Sequence, residues 1–344
     1  MQAPPSRRIR FKPAADFLCA WAILFALMLS TTAAQAGRIL SPSEYLRDPL
    51  TETMEASLQA VEGNKLVFQP VGNDAGDSDP IALRMPDFLL PRVSVGERYL
   101  VAFVRWARAP SNPEAKVAMA NGPTVAIHPG LEPALLLASA RNVEIWELLR
   151  SADRDRADYA EQLEDLLQHP DPQVAIIAAA EWINLSELRA GITPAVAAKI
   201  GKLAASGDVP AYQRAFLLNA AVQLGTTLGQ WWQPLSESLL SESSVYGLSS
   251  YGEDSLLMAA MNAANQLALP AATLERWVSS ENSALAEAAL LNLRRNAPQR
   301  EQAAIQAALE QSLLPAQTRE FLNDHLRRLQ LAQVQGDNQP MSSH

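Results

Sequence analysis

Hydrophobic positions change their period partway along the chain. Between residues 53 and 106, apolar side chains alternate with polar ones or gather into short runs of branched and aromatic residues. From about Asp153 to Gln330 they recur at helical spacing. A period of two belongs to strands and a period near 3.6 to helices. The clearest helical stretch is Asp171-Pro-Gln-Val-Ala-Ile-Ile-Ala-Ala-Ala-Glu-Trp-Ile-Asn-Leu185. Asp171 suits an N-cap and Pro172 the first helical position. Val174, Ala178, Trp182 and Leu185 repeat along one face, while Ile176, Ile177 and Ile183 place apolar surface on others. This helix is therefore predicted to be covered on several sides.

The strand-like region comes first. In Thr53 to Val61, Met54, Ala56, Leu58 and Ala60 point one way and Glu55, Ser57 and Gln59 the other. Glu62-Gly63-Asn64 reads as a turn, with Lys65 to Gln69 as the hairpin partner. Ile81 to Met85 is a short third strand. Glu97 to Trp106 is apolar on both faces and is predicted to lie inside the sheet. Val117 to Met119 and Thr124 to Ile127 flank Asn121-Gly122, a hairpin signal. Five or six short strands in residues 37–128 predict a small β-barrel or sandwich. Val95-Gly-Glu-Arg-Tyr-Leu-Val101 resembles strands of oligonucleotide/oligosaccharide-binding-type (OB-like) barrels. It carries one basic residue, Arg98, beside one aromatic, Tyr99, and no alternating series of the two, so the resemblance implies no nucleic-acid binding.

Pro129, Gly130 and Pro133 mark a boundary, and Leu131 to Ser151 reads as a junction helix within residues 129–152. Residues 153–331 then read as helices in pairs. Arg156 to Gln168 leads into the Asp171 helix. Pro194 to Ala205, capped by Thr193, precedes Val209 to Leu224, opened by Asp208. Leu228 to Leu240 precedes Glu253 to Leu267, Ala271 to Val278 precedes Ser283 to Arg295, and Gln299 to Leu313 precedes Ala316 to Leu331. Residues 332–344 read as a polar, disordered tail.

Second helices open near Asp171, Asp208, Glu253, Asn282 and Ala316, at intervals of 37, 45, 29 and 34 residues. Those intervals fall in the range of helix-pair repeats. Asp171-Pro-Gln-Val174, and Asn282 to Leu293 with Leu285, Ala289 and Leu293 on one face, resemble the second helix of HEAT repeats. Ala175 stands where that family favours Arg, and the Asp208 and Glu253 repeats lack the Val. The resemblance implies a stacked array that serves as an interaction scaffold. One such pair cannot bury its apolar face alone, and Ala-rich surfaces let neighbouring pairs approach closely. The fold class expected is thus α+β multidomain, a small N-terminal β-barrel or sandwich followed by an all-α HEAT-like helical-repeat array.

Composition changes this picture in one respect, the compartment. Arg7, Arg8, Arg10 and Lys12 precede the apolar run Leu18 to Leu29, and Ala34-Gln-Ala36 fits a small-x-small cleavage site. Residues 1–36 therefore read as a secretory signal, cleaved after Ala36. The alternative is an inner-membrane anchor, but the apolar run has 12 residues, short of the ~20 that span a bilayer. Loss of four basic residues and one acid takes the formal net charge from −9 to −12, which argues against nucleic acid and anionic lipid as partners. Cys19, the only cysteine, leaves with the signal, so the mature chain holds neither disulfide nor thiolate. The periplasm is the expected location, with no stable membrane span after cleavage.

Candidate chemistry is sparse. Gly247-Leu-Ser-Ser-Tyr-Gly252 is one residue off the G-x-S-x-G elbow. His128, His169, His325 and His344 lack ligand spacing, and no metal or cofactor is expected. Asn73, Asp74, Asp77 and Asp79 crowd one loop, where turn chemistry suffices to explain them. The long Ser241 to Gly252 loop carries Tyr246 and Tyr251, and Trp231-Trp232 precede it. Those four aromatics are the candidate partner-binding residues. The chain is expected to be a non-enzymatic interaction scaffold for a protein or peptide of the cell envelope. The alternative is an envelope glycan- or peptide-binding or processing protein.

Overall fold

The structure, a computed structural model, describes residues 40–71, 79–85, 90, 93–104, 134–151, 158–248, 252–267 and 269–337, with side chains to 331. Its first element is a helix that the pattern of apolar residues does not announce. Helix α1 (Pro42–Arg47) opens on a full capping box: Ser41 accepts from the Glu44 N–H, and the Glu44 carboxylate accepts from the Ser41 N–H. Pro42 holds the first helical position. The signal was present in Ser41-Pro-Ser-Glu44, the S-x-x-E spacing of a reciprocal cap.

Five antiparallel strands follow: β1 (Thr51–Glu62), β2 (Lys65–Pro70), β3 (Ile81–Arg84), β4 (Arg98–Val104) and β5 (Leu135–Leu137), in the order β3-β2-β1-β4-β5. Among the described residues this is one open sheet whose edges are β3 and β5, not the expected barrel. The expected strands at 117–119 and 124–127 lie outside the described residues. The β1–β2 hairpin forms across Gly63, whose φ of 60° suits a glycine turn. A register shift between Leu58 and Ala60 leaves Gln59 as a bulge and brings Val61 opposite Leu66; Ala56, Leu58, Leu66 and Phe68 are buried, whereas Val61, near the strand end, is exposed. β4 lies between β1 and β5, and Tyr99 to Phe103 are all buried, as an apolar run on both faces requires.

β5 corrects the expected junction helix. Helix α2 spans only Ala140–Ser151, and Leu135–Leu137 pairs with Tyr99–Val101 of β4. A short apolar run suits either state, and the open edge of β4 decided it. Asn142 of α2 donates to the Leu137 carbonyl at 2.9 Å, fixing the strand-to-helix bend.

Beyond the junction come helices α3 (Tyr159–Leu166), α4 (Pro172–Asn184), α5 (Ser186–Ala190), α6 (Pro194–Ala205), α7 (Ala211–Leu224), α8 (Trp232–Glu242), α9 (Glu253–Ala263), α10 (Ala271–Val278), α11 (Ser283–Asn296), α12 (Glu301–Leu309) and α13 (Ala316–Asp337). The caps at Asp171, Thr193 and Asn282 accept backbone N–H bonds as their side chains suggest. Several boundaries move: the first helix of the row narrows to Tyr159–Leu166, α9 ends at Ala263, α12 is Glu301–Leu309, and α13 runs on to Asp337, into the expected disordered tail. α7 starts at Ala211 rather than Val209, because Pro210 lacks an N–H and holds the preceding residue extended. α8 starts at Trp232 rather than Leu228, because Gly229, at φ 75°, breaks the helix.

Packing is sequential. Within pairs, α3 packs on α4, α6 on α7, α8 on α9, α10 on α11 and α12 on α13. Between pairs, α4 touches α7, α7 touches α9, α9 touches α11 and α11 touches α13. Small side chains line these contacts: Ala178 to Ala180, Ala220 and Ala221, Ala259 and Ala260, and Ala286 and Ala289 are all buried. α4 is buried from Val174 to Ile183, Glu181 included.

One close approach has a sharp consequence. A Cβ on Gly201 of α6 would stand 2.7 Å from the Trp231 ring. The Gly201→Ala variant is expected to lose about 1–3 kcal/mol of stability, since the ring has no room to retreat without repacking. Urea unfolding of the two proteins reads the difference; equal midpoints would show that the ring moves freely.

Candidate functional site

The three described aromatics of the four singled out in the sequence do not share a surface. Trp232 is 4% exposed, and its indole N–H is buried without a partner. Trp231 is half-buried, with its ring against Gly201 and its N–H also buried and unpartnered. Tyr246 lies beyond the far end of α8, a helix about 15 Å long at 1.5 Å per residue. Tyr251 lies outside the described residues.

Tyr246 belongs to a strap. After α8 the chain crosses the turns of the pairs that follow. Its hydroxyl donates to Gln311 at 2.8 Å, between α12 and α13. The Leu248 N–H donates to Glu281 at 2.6 Å, and the Glu281 N–H donates to the Val245 carbonyl at 3.0 Å. Trp277 donates to the Leu240 carbonyl at 2.7 Å, and Thr318 donates to the Ser280 carbonyl at 3.2 Å. The connection therefore ties three successive pairs along one edge.

The most chemically unusual cluster was not anticipated. Glu181, in the apolar run of α4, is fully buried. Its carboxyl group accepts from the Ser43 N–H at 3.0 Å, from the Ser43 hydroxyl, and from the Tyr159 hydroxyl at 3.0 Å. Since Ser43 gives its proton to Glu181, Ser41 is the donor in the 3.2 Å contact between the two serine hydroxyls. Arg47 donates to the Ser43 carbonyl at 3.1 Å. Burial, followed by the Glu181 charge, pushes the Tyr159 phenol above its usual range. Ser43 and Tyr159 are buried as well, so a serine, a carboxylate and a tyrosine meet where no substrate reaches them. Their work is positional: they hold α1 against α3 and α4. On the other flank of α1, the Tyr45 hydroxyl donates to the Ala102 carbonyl of β4 at 3.4 Å. Gln173 of α4 donates to the Leu135 carbonyl of β5 at 2.8 Å. The sequence signal was a single carboxylate in a helix apolar on several faces.

A second ionic cluster joins the last three helices. Glu301 is nearly buried, and Arg294 grips it with Nε at 3.0 Å and Nη2 at 2.7 Å from Oε1. His325 Nε2 lies 3.0 Å from the same oxygen and also contacts Arg294. That nitrogen can donate to Glu301 or accept from Arg294, never both at once. Burial alone would raise the Glu301 carboxyl, but the hydrogen bonds from Arg294 and His325 outweigh it and hold it below the usual range. Of the other histidines, His169 accepts the Asp171 N–H at 3.1 Å, in the role of a helix-end aid. His128, His344 and the loop residues Asn73, Asp74 and Asp77 lie outside the described residues. Among those described, no group of three His, Cys, Asp or Glu could hold a metal ion, and no helix is long and apolar enough to cross a membrane.

A third feature is open to solvent. A cleft of about 310 Å³ lies between α2 and α3, lined by Arg141, Glu144, Ile145, Leu148, Gln162, Asp165 and Leu166.

No protein-family model, no curated protein and no solved structure matches the chain.

Two predictions test these clusters. Tyr159→Phe is expected to cost about 1.5–3 kcal/mol, the range for a hydrogen bond to a charged group, and Glu181→Ala more, because it strands three donors. A double-mutant cycle of Ser43→Ala with Tyr159→Phe, read by chemical denaturation, should be non-additive, since both lose the same acceptor. Additivity would mean the two donors act separately. At Glu301 the folded-state value lies below that of the unfolded carboxyl, about 4.3. Its stabilisation is therefore complete above that pH and is lost as pH falls through the lower folded value. Stability of wild type minus Glu301→Gln, followed from pH 6 to pH 3, should shrink below about pH 4; a flat difference would rule the linkage out.

Proposed function

We propose that the chain is an exported interaction scaffold of the cell envelope, without catalytic activity of its own, and that its helical part is a HEAT-like array. The single observation that supports this most is the ladder α4–α7–α9–α11–α13, in which each second helix packs on the next through small side chains. A ladder of that kind makes stability a sum of neighbour contacts and leaves long helix faces and turn edges available to a partner. The Asp171 and Asn282 caps, which carry the sequence resemblance to HEAT repeats, sit at the starts of α4 and α11.

The signal-like residues 1–36 support export and cleavage after Ala36, and the absence of cysteine from residue 37 onward suits a periplasmic protein held together by packing. The partner proposed is a protein or peptide, not nucleic acid, given a net charge of −12 after cleavage of residues 1–36. Tyr246, half-exposed on the strap, is proposed to belong to the contact edge. Trp231 and Trp232 are proposed to serve packing.

The test is made in cells that export the protein. The periplasmic fraction should contain a chain starting at Gly37. A photo-reactive side chain placed at exposed Lys202, Leu291 or Arg327 on the array should give a recurrent protein adduct, while the same group at Val61 on the sheet should not. Glycan adducts alone, or no adduct at any array position, would overturn the reading.

A further inference from the structure

The cleft between α2 and α3 is built from two helix faces that meet at an angle. Arg141, Glu144, Ile145 and Leu148 stand on one face of α2 at i, i+3, i+4 and i+7. Gln162, Asp165 and Leu166 stand on one face of α3 at i, i+3 and i+4. Ile145 and Leu166 are buried and Leu148 is half-buried, so the floor is apolar. At about 310 Å³ the cleft is at the small end of ligand pockets, enough for one or two large side chains.

The rim is one-sided in its chemistry. Among the described residues Arg141 is its only cation, and Glu144 already engages it at 2.8 Å. The Gln162 amide N–H donates to Asp158 at 2.7 Å, which leaves its carbonyl oxygen as an acceptor. Asp165 is exposed and faces no cation among the described residues. α3 carries Glu161, Glu164 and Asp165 and no basic residue, and Lys199 engages only Glu164. An apolar floor beneath an acceptor-rich, acidic rim is complementary to an apolar side chain flanked by cations.

Resting on the reading of the chain as an interaction scaffold, we infer that this cleft docks a peptide segment of the partner, one large apolar side chain in the floor with lysine or arginine beside it at Glu144 and Asp165. The groove sits where the sheet hands over to the array, so a segment bound there touches the first pair while the rest of its protein is free to lie along the ladder.

A phage-displayed peptide library panned on the purified protein tests the assignment. The selected peptides should share a large apolar residue with Lys or Arg within a few positions. Their affinity should fall about tenfold or more in Glu144→Lys/Asp165→Lys and in Leu148→Ala, with the unfolding midpoint of the charge-reversed protein unchanged because Glu144 and Asp165 are exposed. Loss of binding as salt rises from 50 to 300 mM should be steep for wild type and shallow for the charge-reversed protein. No shared motif, an acidic motif, or a motif that binds wild type and variants alike would overturn the docking groove. The last outcome would leave the scaffold reading intact, whereas missing array adducts in the cross-linking experiment would overturn the scaffold and spare a groove that still binds its motif.

Discussion

A carboxyl group buried in the middle of an apolar helix is the constraint from which the architecture follows. Taking Glu181 out of water costs several kcal/mol unless its oxygens are fully hydrogen-bonded. α4 cannot supply the donors, since its own N–H groups are committed to the helix. They come from outside: two from Ser43 on α1 and one from Tyr159 on α3. The demand of one side chain thereby sets the position of two other elements. α1 carries the consequence further, because Tyr45, two residues from Ser43, reaches the β4 backbone. Sheet and array share one short helix as their joint, and that helix is held by its capping box and by the carboxyl group it satisfies.

Past the joint, a different constraint takes over. Second helices that touch their successors must approach closely, and alanine allows that where leucine would not. Gly201, on the first helix α6, has no side chain at all, and the Trp231 ring fills the space. Large side chains are buried on both rows, Ile200, Trp277 and Ile305 on first helices and Trp182, Leu217 and Met261 on second helices. The ionic contacts then fall at the ends. Arg294, Glu301 and His325 fasten α13, the last of the described helices, and its exposed positions Glu320, Asp324, Arg327 and Arg328 are polar.

Much of this was legible in the residues, and the misses have physical causes. Helix pairing could be read because the apolar period recurs at each pair, with an Asp-Pro cap at Asp171, an Asn-Ser cap at Asn282 and glycines in the connections up to Gly252. β4 could be read because its apolar run is continuous. Leu135–Leu137 could not, because three leucines suit a strand or a helix and only the free edge of β4 chooses between them. α1 was overlooked because its signal is polar, a reciprocal cap with almost no apolar period behind it. That the described strands form an open sheet was not readable at all, since closure depends on which strand edges meet. Among candidate residues, the two tryptophans are adjacent in sequence, but successive residues on a helix point about 100° apart, so Trp232 is buried and Trp231 is half-buried against Gly201 of α6. Glu181 was visible as an anomaly, but its partners lie 138 and 22 residues away.

Rigidity is unevenly distributed along the array, and that bears on where a partner would act. The strap from α8 binds the turns of the next two pairs through Glu281 and Gln311, and Arg294, Glu301 and His325 lock the end. The C-terminal three pairs are thus cross-linked by polar contacts in addition to their packing. At the other end, α2 and α3 diverge over an apolar floor, and the joint beside them depends on one carboxyl group. A ligand that fills the floor and neutralises the acids on the rim would add to the contacts between the junction and the first pair. Binding there would stiffen the link between sheet and array, whereas binding along the strapped edge would meet a surface already fixed. The two regions offer a partner different things: one a shape ready to be matched, the other a joint that binding itself completes.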